Sequence, residues 1–120
     1  MEKFRFTIVD VFAVRPRTGN QLAVVFLEGR ADAVLTALRA DLQEIAAEFG
    51  FSETVFLPSE LPEDPSRDPV ATRIFTPAEE LPFAGHPTLG AAWSIRERLR
   101  PGGAALPERI LLAEGVGTIE

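Results

Sequence analysis

The chain has no cysteine and a single histidine, His86, among its 120 residues. Without cysteine there are no disulfides, no thiolate metal sites and no cysteine nucleophiles, a composition compatible with a reducing compartment. With one histidine, a metal site would have to lean on carboxylates around one imidazole. Neither H-E-x-x-H nor a comparable ligand spacing occurs, so no metal is expected. Bases are outnumbered by acids, 12 to 18, for a formal net charge of -6. Binding to phosphate backbones needs a basic face, so no nucleic-acid partner is expected. The short arginine series Arg96, Arg98 and Arg100 reads as the last turn of a helix, where cations complement the helix dipole. No apolar run approaches the roughly 18 residues of a membrane span. Met1 to Asp10 lack the basic-then-apolar order of a signal peptide. The expectation is a cytoplasmic protein with no membrane partner.

What is present is the composition of a soluble globular domain, 46% hydrophobic and 25% charged, read as a single domain over residues 1–120. A domain of this size buries somewhat under about 70% of its unfolded surface, enough for one core but not for a deep cleft between two. Phe4, Phe6, Ile8, Asp10 and Phe12 alternate with the period of a half-buried strand. Arg15 to Asn20 reads as a turn and Gln21 to Leu27 as a more fully buried second strand, the two forming a hairpin. Leu35, Leu38, Leu42, Ile45, Ala46 and Phe49 then recur at three and four residues. That spacing predicts one amphipathic helix from Asp32, ended by Gly50 as a C-cap. Phe51 to Leu57 returns to strand. Pro58 to Pro69 reads as a solvated loop and the least ordered segment, Val70 to Thr76 as a strand, and Pro77 to Gly85 as a structured loop. A second helix should start at Pro87 and run to Leu99 before Pro101-Gly102-Gly103. Strands near Glu108 to Ala113 and Val116 to Glu120 complete an α+β pattern.

Three places could carry chemistry. Alternation in the third strand puts Glu53 on one face with Phe51, Val55 and Leu57. Apolar surroundings disfavour the charged form of a carboxyl group, and this lets a glutamate both take and return a proton. The alternative is a strand-end glutamate reaching solvent or pairing with a base such as Arg73. Gly85 and His86 precede a helix start, where backbone donors and the positive end of the dipole suit a substrate carboxylate or an oxyanion. The alternative there is that His86 only caps the helix. Thr18-Gly19-Asn20 is a third candidate, against the reading of an ordinary turn. Gly90-Ala91-Ala92 reads as a close-packing stretch of the second helix.

Taken in order, Asp10-Val11-Phe12, Thr18 to Val25, Gly50 to Phe56, Arg73-Ile74-Phe75-Thr76-Pro77 and Glu80 to Ala91 resemble the phenazine-biosynthesis PhzF-like family across nearly the whole chain. The resemblance implies a diaminopimelate-epimerase-like fold of two similar halves. Each half is a mixed, mostly antiparallel sheet curled around a central helix, with the active site between the halves. It implies that Glu53 is the catalytic acid/base, that His86 and the Gly85 backbone bind or polarise a small carboxylate-bearing substrate, and that Asn20 contributes. In the best-known members the reaction moves a proton between carbons of a dihydro-hydroxyanthranilate, without a cofactor. Only the N-terminal half of the family pattern is present, so the implied partner is a complementary second half or a second copy in a homodimer. The alternatives are a non-catalytic binding or assembly module, or a fragment of a longer enzyme.

Overall fold

The computed structural model describes residues 5–11, 19–100 and 108–120. The expected first-strand ends Phe4 and Phe12, most of the Arg15 to Asn20 turn and the Pro101-Gly102-Gly103 stop lie outside them. Two strands open the chain, β1 (Arg5–Val11) and β2 (Asn20–Leu27), and they pair antiparallel as the expected hairpin. Leu22 to Leu27 are all buried, which is the pattern of a central strand covered on both faces. The chain then crosses over through α1 (Ala31–Leu35) and α2 (Arg39–Phe49), so that β3 (Glu53–Pro58) lies parallel to β2, with Leu22 opposite Glu53.

The single helix expected from Asp32 is two. Leu38 has extended backbone, with ψ 128°, and α2 begins after it. Leu35 and Leu38, which carried the helical spacing across this point, are exposed, and the core is supplied instead by Val34, Leu42 and Ala46. The break is held from outside: the Arg73 guanidinium donates to the carbonyls of Val34 and Ala37, groups that a helix end leaves unmatched. The same guanidinium pairs with Glu80 at 2.7 Å. Gly50 ends α2 in the left-handed region, φ 71°, with its amide on the Ala46 carbonyl, as expected of a C-cap glycine.

The segment expected as one strand from Val70 to Thr76 is also divided. β4 (Val70–Ala71) and β5 (Arg73–Phe75) belong to different sheets, with Thr72 between them. The loop expected over Pro77 to Gly85 contains a short strand, β6 (Glu80–Leu81), paired with β5. Helix α3 (Gly85–Leu99) starts two residues before the expected Pro87. β7 (Leu112–Glu114) and β8 (Gly117–Ile119) close a hairpin with Gly117 at φ 126°. The strands therefore form a five-stranded sheet, β1-β2-β3-β5-β6, and a three-stranded sheet, β4-β7-β8, each mixed in strand direction. The loop from Ser59 to Pro69 is tied down by backbone bonds from Ser59 to Leu27, Glu60 to Gly29 and Leu111 to Pro65.

The α+β class expected from sequence is the one observed. One core cluster joins Leu22, Val24, Val55 and Leu57 of the large sheet to Ala91 and Ile95 of α3 and to Val70 and Leu112 of the small sheet. On the opposite face, Val25, Phe56 and Phe75 pack against Val34, Leu42 and Ala46. Helix α3 thus lies in the concavity between the two sheets. It sits so close to β2 that a Cβ at Gly90 would stand 2.3 Å from Leu22 Cδ2, which accounts for glycine there. Arg96 and Arg98 fall in its last turn as expected. Arg98 also donates to the Ser59 carbonyl and lies over the Phe26 ring.

Candidate active site

β2 and β3 are parallel, so both begin at the same end of the sheet. Asn20 opens the first and Glu53 the second. Val55 and Leu57 belong to the core cluster around α3 and Phe56 to the other, so strand alternation points Glu53 toward the α3 face, as the sequence indicates. The N-terminus of α3 reaches the same place. The result is a carboxylate and an imidazole in contact: His86 Nε2 lies 3.1 Å from Glu53 Oε2, both side chains largely buried at 13% and 16% exposure.

The contact is close but not aligned. His86 Nε2 has no hydrogen-bond partner of acceptable angle among the described residues, although it is buried. Among the same residues, the group that donates to the carboxylate is Ser52 Oγ, at 2.5 Å from Oε2. The contacts bear on two pairings left open in the sequence. Glu53 does not pair with Arg73, which is committed to Glu80. His86 is not the cap of the helix either: the N-cap of α3 is Ala84, and no side chain caps it among the described residues. Among the described residues the amides of Gly85 and His86 are without a capping partner at the positive end of the dipole.

Gly85 has another meaning from Gly90. A Cβ built at Gly85 meets nothing within 4 Å, and its φ is not positive. Neither packing nor backbone conformation calls for glycine there, and the residue is exposed. The space in front of it is open to a ligand approaching the backbone. Asn20 is exposed at the end of β2 on the same rim. No contact joins its side chain to Glu53 or His86 among the described residues. Gly19, beside it, is fixed by packing, since a Cβ would stand 2.1 Å from the Val11 carbonyl oxygen.

The sequence singled out neither Ser52 nor the pair Thr88 and Glu114. Thr88 Oγ1 lies 2.7 Å from the Ala84 carbonyl oxygen and 2.9 Å from Glu114 Oε2. Burial pushes the Glu114 carboxyl above the ordinary carboxylate range, against a smaller opposing effect of the Thr88 hydroxyl. Ser52 sits inside a quoted motif next to Glu53 and could have been found there. Glu114 carries no local signal.

Among the described residues no three His, Asp or Glu side chains form a group able to hold a metal ion, and no helix is long and apolar enough to cross a membrane.

Two sheets around a helix, with a carboxylate and an imidazole meeting where β3 and α3 begin, define an α+β protein of the epimerase-like class. Comparison with known proteins makes the assignment specific. The family described as phenazine biosynthesis-like protein matches residues 9–120, and the chain belongs to it. An uncharacterized isomerase of Mesorhizobium japonicum is 38% identical over 119 residues, covering 99% of this chain and 35% of that protein. The trans-2,3-dihydro-3-hydroxyanthranilate isomerase of Pseudomonas aeruginosa is 35% identical over 120 residues, covering 96% of this chain and 36% of that enzyme. A PhzF-family crystal structure from Enterococcus faecalis superposes with a TM-score of 0.72 at 30% identity, over 97% of this chain and 38% of that one. The chain spans a little over a third of the length of the curated relatives it matches.

Proposed function

We propose that this chain supplies the acid/base half of a cofactor-independent isomerase that moves a proton between carbons of a small carboxylate-bearing metabolite. The observation that carries the reading is the convergence of Glu53 and His86 at 3.1 Å beside the uncapped start of α3. In this mechanism Glu53 takes a proton from one carbon of the substrate and delivers it to another on the same face, so one carboxylate serves as base and then as acid. The substrate carboxylate, or the oxyanion that develops as the proton leaves, sits on the amides of Gly85 and His86, aided by the His86 ring. Asn20 adds a polar contact from the rim. The isomerase names of the relatives support this class.

The remaining wall of the site comes from a complementary half. Trp93 and Leu89 of α3 are each 52% exposed and line the open cleft between that helix and β1, with Val9 and Val11. Among the described residues β1 pairs with β2 alone. The relatives are nearly three times as long as the matched region, and the remainder of such a protein, nearly twice the length of this chain, is the occupant that fits. A homodimer placing a second copy on this face is the alternative that sedimentation or light scattering of the protein would reveal. The protein is read as working in the cytoplasm on a soluble metabolite, with no part for nucleic acid.

The test is deuterium incorporation into trans-2,3-dihydro-3-hydroxyanthranilate, measured with the complementary half present. The wild type should catalyse it. Glu53→Gln should abolish it, and substrate affinity should stay within a few-fold. Undiminished exchange in Glu53→Gln would remove Glu53 as the base. Binding without exchange in the wild type would instead make the chain a binding module.

A further inference from the structure

Glu114 ends β7 with 8% of its surface exposed, and the proposed chemistry makes no use of it. Its Oε1 is buried without a partner among the described residues. Its Oε2 is 2.9 Å from Thr88 Oγ1, which is also 2.7 Å from the Ala84 carbonyl oxygen. A threonine hydroxyl has one hydrogen. If Glu114 were ionised, that hydrogen could satisfy the carboxylate or the carbonyl but not both. One of the two short contacts would then be oxygen against oxygen with no proton between them. Oε1 would be a charged atom buried without a donor, the costlier of the two ways to bury a carboxyl oxygen.

A neutral acid resolves every contact. Its O–H donates to Thr88 Oγ1, the Thr88 O–H donates to the Ala84 carbonyl, and Oε1 remains an uncharged acceptor. Charged groups from the neighbouring elements do not change this. In the cleft that Glu114 borders, Arg39 of α2 and Arg73 of β5 both lie on Glu80 of β6, and Glu79 is exposed. On α3 the nearest ionisable group in sequence to Thr88 is His86, which faces Glu53. Arg109, ahead of β7, pairs with Glu120. Among the described residues no cation lies within ion-pair distance of Glu114.

We propose that Glu114 is a positioning residue for the candidate site: as a neutral acid it donates to Thr88, which lets Thr88 hold the Ala84 carbonyl and so fixes the turn that presents Gly85 and His86. The inference rests on reading Gly85 and His86 as the ligand-binding turn, but its physical core, a buried protonated glutamate ordering that turn, needs no substrate to be tested. The sign follows from burial raising the folded-state value above the unfolded one. The stabilisation is complete below the unfolded value and is lost as pH rises through the folded value. On ionisation the Thr88 hydrogen turns to the carboxylate, and the Ala84 carbonyl keeps only the longer bond from the Thr88 amide, at 3.3 Å.

The experiment is a pH titration of the carboxyl carbons of the protein by NMR with labelled glutamate, with Glu114 assigned by its absence in Glu114→Gln and the His86 ring followed in parallel. Glu114 should stay protonated above the ordinary carboxylate range. The His86 resonances should shift in step with it, and that component should vanish in Glu114→Gln, whose amide can still donate to Thr88. The thermal midpoint of the wild type should fall relative to Glu114→Gln as pH rises through the same step. Ionisation of Glu114 within the ordinary carboxylate range would overturn the proposal, as would His86 signals that ignore its titration. The wild-type titration stands even if the variant fails to fold. A negative result here with intact Glu53-dependent exchange would remove Glu114 alone and leave the isomerase reading in place.

Discussion

Alanine at Gly85 and at Gly90 makes one substitution, on one helix, in two opposite settings. At Gly90 the new methyl would stand 2.3 Å from Leu22 Cδ2 and 3.2 Å from Val11 Cγ2, where carbon atoms need about 3.5–4.0 Å. Leu22 is fully buried among Val24, Val55 and Ala91, so it has no free volume to turn into and α3 must lift from β2. Overpacking of this kind costs about 1–3 kcal/mol. Alanine is better than glycine inside a helix by about 1 kcal/mol, so Gly90→Ala should lose a net of about 1 kcal/mol. For a chain of this size that is a fall of about 4 °C in the thermal midpoint. Gly85→Ala meets nothing within 4 Å and should change stability by no more than a gain of about 1 kcal/mol. Its effect should appear in ligand binding, because the methyl enters the space before the first-turn amides. Thermal unfolding of the two variants side by side, with binding of a carboxylate ligand by calorimetry, reads both effects. If Gly90→Ala proves as stable as Gly85→Ala, α3 is not seated on β2 as described. If Gly85→Ala binds as the wild type does, no ligand approaches that backbone.

Other consequences follow from the same contacts. Phe56 is fully buried and meets Phe75 edge-on with ring centres 5.4 Å apart, so Phe56→Ala should cost about 3–5 kcal/mol in denaturant unfolding. Arg73→Met removes the donor that serves Val34, Ala37 and Glu80, and should cost about 1–3 kcal/mol and increase hydrogen exchange at the junction of α1 and α2. The bonds from Arg73 hold the Glu80 carboxyl below the ordinary range. Its stabilisation is therefore present above the unfolded value and lost as pH falls through the folded one. Glu80→Gln should flatten that acid limb of the stability curve.

Much of this was legible in the chain because it depended on local pattern. Alternation around Glu53 predicted which face of β3 it occupies, and a glycine after an apolar helical face marked the end of α2. The order of motifs placed Asn20, Glu53 and Gly85-His86 in one family frame; the parallel pairing of β2 and β3 brings Asn20 and Glu53 to one end of the sheet, and the start of α3 brings Gly85-His86. The failures occurred where tertiary contacts overrode spacing. Leu35 and Leu38 looked like core and are exposed, because Arg73, far along the chain, claims the carbonyls that would have continued the helix. Val70 to Thr76 reads as one strand by composition, but Thr72 gives its amide to Ala113, so the segment is shared between sheets. Glu114 could not have been chosen, since its significance comes from Thr88, 26 residues away.

The passage through Thr72 has a consequence for how the molecule comes apart. β4 and β5 are separated by that single residue, which leaves no slack between the small sheet and the large one. A cut or insertion at Thr72 would uncouple the surfaces that enclose the same helix. Peeling β7 and β8 away would pull on β5 and, through it, on β3 and Glu53. The two sheets should therefore open together, and native-state proteolysis should find few stable intermediates between the folded chain and one that has lost its site.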